Sequence, residues 1–241
     1  PLTTLAKLEP ILGPTSISHF NLYRSASISG QATAGHSSGE AIAIMEELAE
    51  NLPEGYIFEW AGQSKQEIEA GNLAPILFGL ALLFVYLFLV AQYESWTIPF
   101  SVLAAVPLAL FGSMLTLYIL GMENNIYAQV GLVLLIGLST KTAILIVEFA
   151  MELRAAGQSI MEAALDAARL RFRAVLMTAL SFVLGVIPLV MSSGAGASSR
   201  IFLGITVLSG MLAATILGTL LVPYFFMVIQ RMREKIKGTA S

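Results

Sequence analysis

A mainly α-helical membrane protein, with five crossing helices preceded by a small α+β unit outside the lipid, is the fold this sequence predicts. Three observations carry the prediction. Charged residues make up only 12% of the 241-residue chain, against 56% hydrophobic, where a soluble domain carries about 25% charged residues. Charge is excluded from five long runs. The first 72 residues, by contrast, hold three basic and nine acidic side chains, an ordinary soluble composition. A cytosolic globular enzyme is therefore excluded first. The formal net charge of −3 predicts no nucleic-acid partner. A chain without cysteine has no disulfide, zinc-thiolate or thiol-nucleophile chemistry. Pro1 follows no initiator Met and no signal-peptide pattern, so the expectation is the C-terminal piece of something larger.

The soluble part reads as β-α-β. Residues 24–31 alternate small polar residues with Ala26 and Ile28, a strand pattern. Ser37-Ser38-Gly39-Glu40 has capping-box spacing, and Ile42, Met45, Leu48 and Leu52 follow at helical spacing. Pro53-Glu54-Gly55 ends that helix, and Tyr56, Phe58 and Trp60 alternate as a second strand. A unit of this size is too small to bury a core alone. It is expected to complete a split sandwich with strands from elsewhere. His19 and His36 lie in polar surroundings with no carboxylate–histidine pattern and read as surface residues.

Residues 73–93, 95–122, 124–140, 174–199 and 201–230 contain no charge. A helix needs about 20 apolar residues to cross the hydrocarbon core, so the spans are placed at roughly 73–92, 97–119, 127–149, 174–192 and 201–229. These runs are too long and continuous for barrel strands. Arg154, Arg169, Arg171 and Arg173 lie in the link 150–173, and Arg231, Arg233, Lys235 and Lys237 in the tail. The positive-inside rule puts both in the cytoplasm and residues 1–72 on the outer face, the periplasm of a bacterium. Ser159-Ile160-Met161-Glu162 starts a cytoplasmic amphipathic helix ending near Leu170. Pro99, Pro107, Pro188 and Pro223 mark interruptions or kinks, and residues 192–198 a flexible outer turn. The ten methionines are scattered without ligand spacing, which favours gap-filling over soft-metal binding.

Lys141 is the leading functional candidate. It lies in Gly137-Leu138-Ser139-Thr140-Lys141-Thr142-Ala143, near the middle of span three. A lysine at a helix centre costs about 2.5–3.5 kcal/mol on an insertion scale, and the nearer end is roughly 12 Å away at 1.5 Å per residue. It needs an anionic partner or a wet cavity. No Asp or Glu of this chain matches its depth: Glu94 and Glu148 lie toward the cytoplasmic ends and Glu123 at the outer end. The partner is expected from other helices; the bland alternative is a lysine that pins two helices together. Thr178 is the second candidate, a hydroxyl able to relay or orient a proton; the alternative is a bond back to its own helix. Ser139, Thr140 and Thr142 share the neighbourhood of Lys141 in sequence, with similar alternatives. Arg171 and Arg173 are most simply anchors.

The motifs then resemble a known family. Tyr93-Glu94-Ser95-Trp96-Thr97-Ile98-Pro99-Phe100, Val106-Pro107-Leu108, Gln129-Val130-Gly131-Leu132, residues 137–150, Arg171-Phe172-Arg173-Ala174-Val175-Leu176-Met177-Thr178, Gly185-Val186-Ile187-Pro188-Leu189 and Ser193-Gly194-Ala195-Gly196 are similar, in order and spacing, to the C-terminal half of resistance-nodulation-division efflux pumps, in the hydrophobe/amphiphile multidrug branch. The resemblance covers the whole chain, weakly before Gly30. It departs at Thr142, where a common member has Asn, and at Ala174, where Pro is frequent.

The resemblance implies a twelve-helix bundle of which this chain holds five helices, and a homotrimer in the bacterial inner membrane. It implies a periplasmic adaptor and an outer-membrane channel as partners. The implied activity is export of drugs or amphiphiles by proton antiport, driven by the proton-motive force, with no cofactor and no resident metal. In domain terms, it implies the end of a docking-type segment at 1–22, a periplasmic porter subdomain at 23–72, the transmembrane domain at 73–230 and a cytoplasmic tail at 231–241. The proton relay maps onto Lys141, Thr178 and Arg171, with Ser139 and Thr142 as possible supporting polar residues. The relay carboxylates fall in the N-terminal half, outside this chain. The substrate is not legible. The alternatives are a metal-ion exporter of the same superfamily and a non-transporting receptor or assembly scaffold. An enzyme is not expected, because the spans hold no Asp pair or Ser/His arrangement and the sole Asp is Asp166.

Overall fold

The computed structural model describes residues 13, 16–33 and 36–238, with side chains except at 72 and 236–238. Most of the docking-type segment read at 1–22 therefore lies outside the described residues, as does the end of the tail.

The chain outside the spans is built on polar contacts. Strands β1 (Ser18–Phe20) and β2 (Tyr23–Ser25) form an antiparallel hairpin with Ser18 opposite Ser25 and Phe20 opposite Tyr23. Its two-residue turn holds Asn21 and Leu22 at positive φ, the geometry that matches strand twist. Helix α1 (Ser38–Glu50) starts at the predicted capping box: Ser37 accepts from the Glu40 N–H, and the Glu40 carboxylate accepts from the Ser37 N–H. The helix is tied outward at its first turn. The Ser38 N–H donates to Glu123 at 3.0 Å, and its hydroxyl to Glu67.

Two predictions for this part are corrected. The strand expected over residues 24–31 stops at Ser25, and residues 56–60 form no strand. A strand is stable only against a pairing strand, and among the described residues the only pairing is β1 with β2; Ile28 stands 81% exposed. The apolar face of α1 is likewise uncovered, with Leu48 60% exposed. His36 is on the surface, but it does have a carboxylate partner, Glu40, with Nδ1 and Oε2 3.0 Å apart. His36 lies just before the Ser37 cap and meets Glu40 in the first turn of α1.

Five stretches are long and apolar enough to cross a membrane: Leu73–Tyr93, Pro99–Ile119, Ile126–Ala155, Ile160–Val190 and Ala197–Lys235. Helix α2 (Gly62–Tyr93) runs unbroken from the polar residues into the first span. The second span is split into α3 (Pro99–Leu103) and α4 (Ala105–Ile119). Pro107 has no N–H to offer the Leu103 carbonyl one turn back, which explains a break at Ala104. Pro188 and Pro223, also expected to interrupt, lie within continuous helices. Helix α5 (Ile126–Ala155) is capped by the Asn125 side chain. Helix α6 (Ile160–Val190) begins at the predicted Ser159–Glu162 capping box. It does not end near Leu170 as expected but continues through the fourth span. Residues 170–174 contain neither Gly nor Pro, so nothing there stops propagation. The turn before α7 (Ala197–Gly238) uses Gly194 and Gly196 at positive φ, and the Arg200 guanidinium donates to the Ser193 and Ala195 carbonyls.

Helix α7 is the axis of the bundle and packs on α4, α5 and α6, whereas α2 packs mainly on α3 and α5. Close crossing rests on small residues. A Cβ on Gly112 would collide with Ala213, and one on Gly210 with Leu135 and Ser113, the close approach expected where helices associate in lipid. At the same crossing, the Ser113 hydroxyl donates to the Thr206 carbonyl at 2.5 Å. Ala109, Leu132, Leu135, Val207, Met211 and Ala214 form one apolar core there. A second core, nearer the basic end, joins Leu89, Val102, Ile146, Val147, Val175 and Phe226.

Candidate functional site

The phase of α5 decides which polar residues can work together. Val130, Leu134, Gly137, Lys141 and Glu148 are its exposed positions along one side. Their spacings of four, three, four and seven residues trace a single helical face. Lys141 is thus turned away from α7, on a face that is exposed among the described residues. Beside it runs an open groove of about 430 Å³ between α2 and α5, lined by Phe84, Phe88, Leu89, Thr140, Ile144 and Leu145, among others. Lys141 is the one charged residue of that lining. Among the described residues it has no ion-pair or hydrogen-bond partner.

Two of the neighbouring hydroxyls, those of Thr140 and Ser139, bond to their own helix. Thr140 is buried and donates to the Ile136 and Gly137 carbonyls at 2.9 and 3.0 Å. Ser139 is buried and reaches the Ile136 carbonyl at 3.4 Å. Thr142 is buried too. Adjacency to Lys141 in sequence therefore puts Ser139 and Thr142 on the packed side of α5 while Lys141 occupies the open side. Thr178, on α6, is exposed and donates to its own Val175 carbonyl at 2.9 Å.

Arg171 is brought to α5 by an aromatic contact. Its guanidinium carbon lies 4.4 Å from the centroid of the Phe149 ring, within cation–π range, and its buried Nε has no hydrogen-bond partner. Lys141, Thr178 and Arg171 make no hydrogen bond to one another among the described residues. Phe149 was not singled out from sequence, and no spacing rule links it to Arg171. Glu148 was legible as a member of the Lys141 face, because seven residues are nearly two whole turns.

The arrangement is a cation on an exposed helix face, flanked by an apolar groove and short of an anion. It offers no nucleophile–base pair. Among the described residues no group of three or more His, Cys, Asp or Glu side chains could hold a metal ion.

Residues 1–230 match the model of the AcrB/AcrD/AcrF family. The chain is 44% identical over 238 residues to "Multidrug resistance protein MdtF" of Escherichia coli (strain K12), which covers 98% of this chain and 23% of that protein. It is 44% identical over 232 residues to "Toluene efflux pump membrane transporter TtgB" of Pseudomonas putida, covering 96% of this chain and 22% of that one. The same identity and coverage hold for "Multidrug export protein AcrF" of Escherichia coli (strain K12). The chain thus spans under a quarter of the length of these relatives.

Proposed function

The chain belongs to the AcrB/AcrD/AcrF family of resistance-nodulation-division transporters, and from that premise we propose that it is part of a pump that exports drugs or other amphiphiles by proton antiport. Relatives with multidrug and toluene efflux in their names support the export reading. The single observation that carries the coupling reading is Lys141, on an exposed face of α5 beside an apolar groove and without an ion-pair partner among the described residues. A cation at that depth is too costly to leave without an anion. Another segment of the transporter supplies carboxylates against this face. In the resting state they pair with Lys141. A proton arriving from the outer side neutralises a carboxylate and weakens its hold on the ammonium; the helices then shift and the extramembrane layer changes access. Inward proton flow yields about 2.3 kcal/mol per charge per 100 mV. Arg171, held by Phe149, and Thr178 take part at the basic side of the same path.

In this reading residues 23–72 form a porter subdomain, 73–230 the membrane domain and 231–241 a cytoplasmic tail. The assembly is a trimer in the bacterial inner membrane, with an adaptor and an outer-membrane channel. The test is Lys141→Ala in the full-length transporter. Proton-coupled dye export is expected to be lost while assembly stays intact. Near-normal export by that variant rejects the coupling role. Export of a divalent metal ion in place of dyes identifies the metal-exporter alternative, and no export of either class by the unaltered protein identifies the scaffold alternative.

A further inference from the structure

Helix α1 is tied to the membrane helices at its first residue. None of its residues is buried, and it makes no extended packing with another helix among the described residues. The Ser38 N–H donates to Glu123 Oε2 at 3.0 Å, and the Ser38 hydroxyl donates to Glu67. A first-residue N–H has no partner within its own helix, and the capping box engages the neighbouring Ser37 and Glu40 N–H groups instead. The positive end of the helix dipole favours carboxylates there, which offsets the repulsion between two anions that meet at one residue.

The two glutamates belong to the two walls of the Lys141 groove. Glu67 lies near the start of α2, which supplies Phe84, Phe88 and Leu89 to the groove; Glu123 lies two residues before Asn125, the cap of α5. The two bonds are not equivalent. Only residues 51–61 separate α1 from α2, and Trp60 Nε1 donates to Glu46 of α1 at 3.0 Å, so α1 stays with α2. Glu123 stays with α5, because its chain enters that helix at Ile126. From there to Lys141 the helix runs unbroken for 15 residues, about 22 Å. A change of about 5° in the tilt of α5 at the depth of Lys141 therefore moves its start by about 2 Å. A hydrogen bond of 3.0 Å does not survive that stretch.

We propose that the Ser38–Glu123 bond is a latch: closed with α5 as it stands here, and opened when α5 shifts at Lys141. Opening frees α1 from α5, so a change at Lys141 reaches the chain outside the spans. Use of the latch in export rests on the coupling role of Lys141; the latch itself rests on these contacts.

The test is hydrogen–deuterium exchange of the full-length transporter, read at the Ser38 amide from overlapping peptides. Glu123→Ala is expected to speed exchange there about tenfold, the effect of losing one hydrogen bond to a charged group. Lys141→Ala is expected to speed it about threefold, in the range of energetic coupling between distant sites. A bond with a purely structural role responds to the first variant and not to the second. The Asn51 amide, bonded to the Leu48 carbonyl at the other end of α1, is the control and should not change in either. Lys141→Met keeps most of the side-chain length and should match Lys141→Ala, so the latch stays testable if the smaller side chain unfolds the site. Unchanged exchange at Ser38 in both Lys141 variants overturns the latch, as does unchanged exchange in Glu123→Ala. So does an equal rise at Ser38 and Asn51, which means loosening of the whole helix. Dye export by Lys141→Ala judges the coupling role separately: normal export with a faster Ser38 amide rejects coupling and keeps the latch.

Discussion

Lys141 and Glu148 stand on the same exposed face of α5, seven residues apart, so a rise of about 10 Å separates their backbones. They are the two opposite charges on a face otherwise made of Val130, Leu134 and Gly137, and they do not pair. The account therefore predicts little coupling between them. A double-mutant cycle with Lys141→Met and Glu148→Gln, read from unfolding of the full-length transporter, should give an interaction energy within about 0.5 kcal/mol of zero. A value above about 1 kcal/mol would make Glu148 the counter-ion and remove the need for an acid from elsewhere.

The α4–α7 and α5–α7 crossings depend on the absence of a side chain. Gly210→Leu puts carbon where Leu135 and Ser113 already sit, and overpacking of this kind costs about 1–3 kcal/mol. Gly218 faces Val222 at an ordinary 3.9 Å, so Gly218→Ala should be neutral or slightly stabilising, by up to about 1 kcal/mol. Thermal melting of the two variants in one detergent checks the contrast. Equal melting temperatures would mean that the crossing is looser than described.

These features differ in how readable they were. The five spans were legible because exclusion of charge from lipid does not depend on which neighbour a helix meets. Helix α1 and the start of α6 were legible from Ser37–Glu40 and Ser159–Glu162, because capping is local. Residues 26–31 and 56–60 misled, because alternation describes a strand's two faces but not its hydrogen-bonding neighbour. The end of α6 misled because the change from charged to apolar composition near Ala174 marks an environment, not a break in the backbone. At the site, the depth and isolation of Lys141 could be read directly. The burial of Ser139 and Thr142 required knowing which side of α5 meets α7. The Arg171–Phe149 contact joins two helices and has no local signature at all.

The Arg154–Glu234 pair ties the end of α5 to the end of α7. Each side chain is about one-third exposed, at 34% and 37%, so water screens the pair substantially. Its bidentate geometry places it at the upper end of surface pairs, and a double-mutant cycle with Arg154→Ala and Glu234→Ala should return about 0.5–1 kcal/mol. Raising the salt concentration should shrink that value. A coupling that salt leaves unchanged would point to packing of the arginine stem instead of charge.

The cap of α1 should respond to acid. The Glu40 carboxyl is held below its ordinary value first by the hydrogen bond from His36 and then by the Ser37 N–H. A carboxylate lowered in the folded state stabilises at neutral pH and loses that contribution as pH falls through its folded value. Amide-exchange protection over residues 41–45, corrected for intrinsic rates, should therefore be steady near neutrality and fall at acid pH, below the ordinary carboxylate range of about 4. Glu40→Gln should lower protection at neutral pH and flatten its pH dependence. Unaltered protection in that variant would show that the carboxylate does not hold the helix start.

The most direct test of the central claim is a map of the intact transporter, read at one distance: from the Lys141 Nζ to the nearest carboxylate oxygen. The account predicts an acidic side chain from outside this chain within about 4 Å, the usual reach of an ion pair, seated against the Val130–Leu134–Gly137 face of α5. An amine that faces bulk water, or lies far from every carboxylate in the assembly, would contradict it.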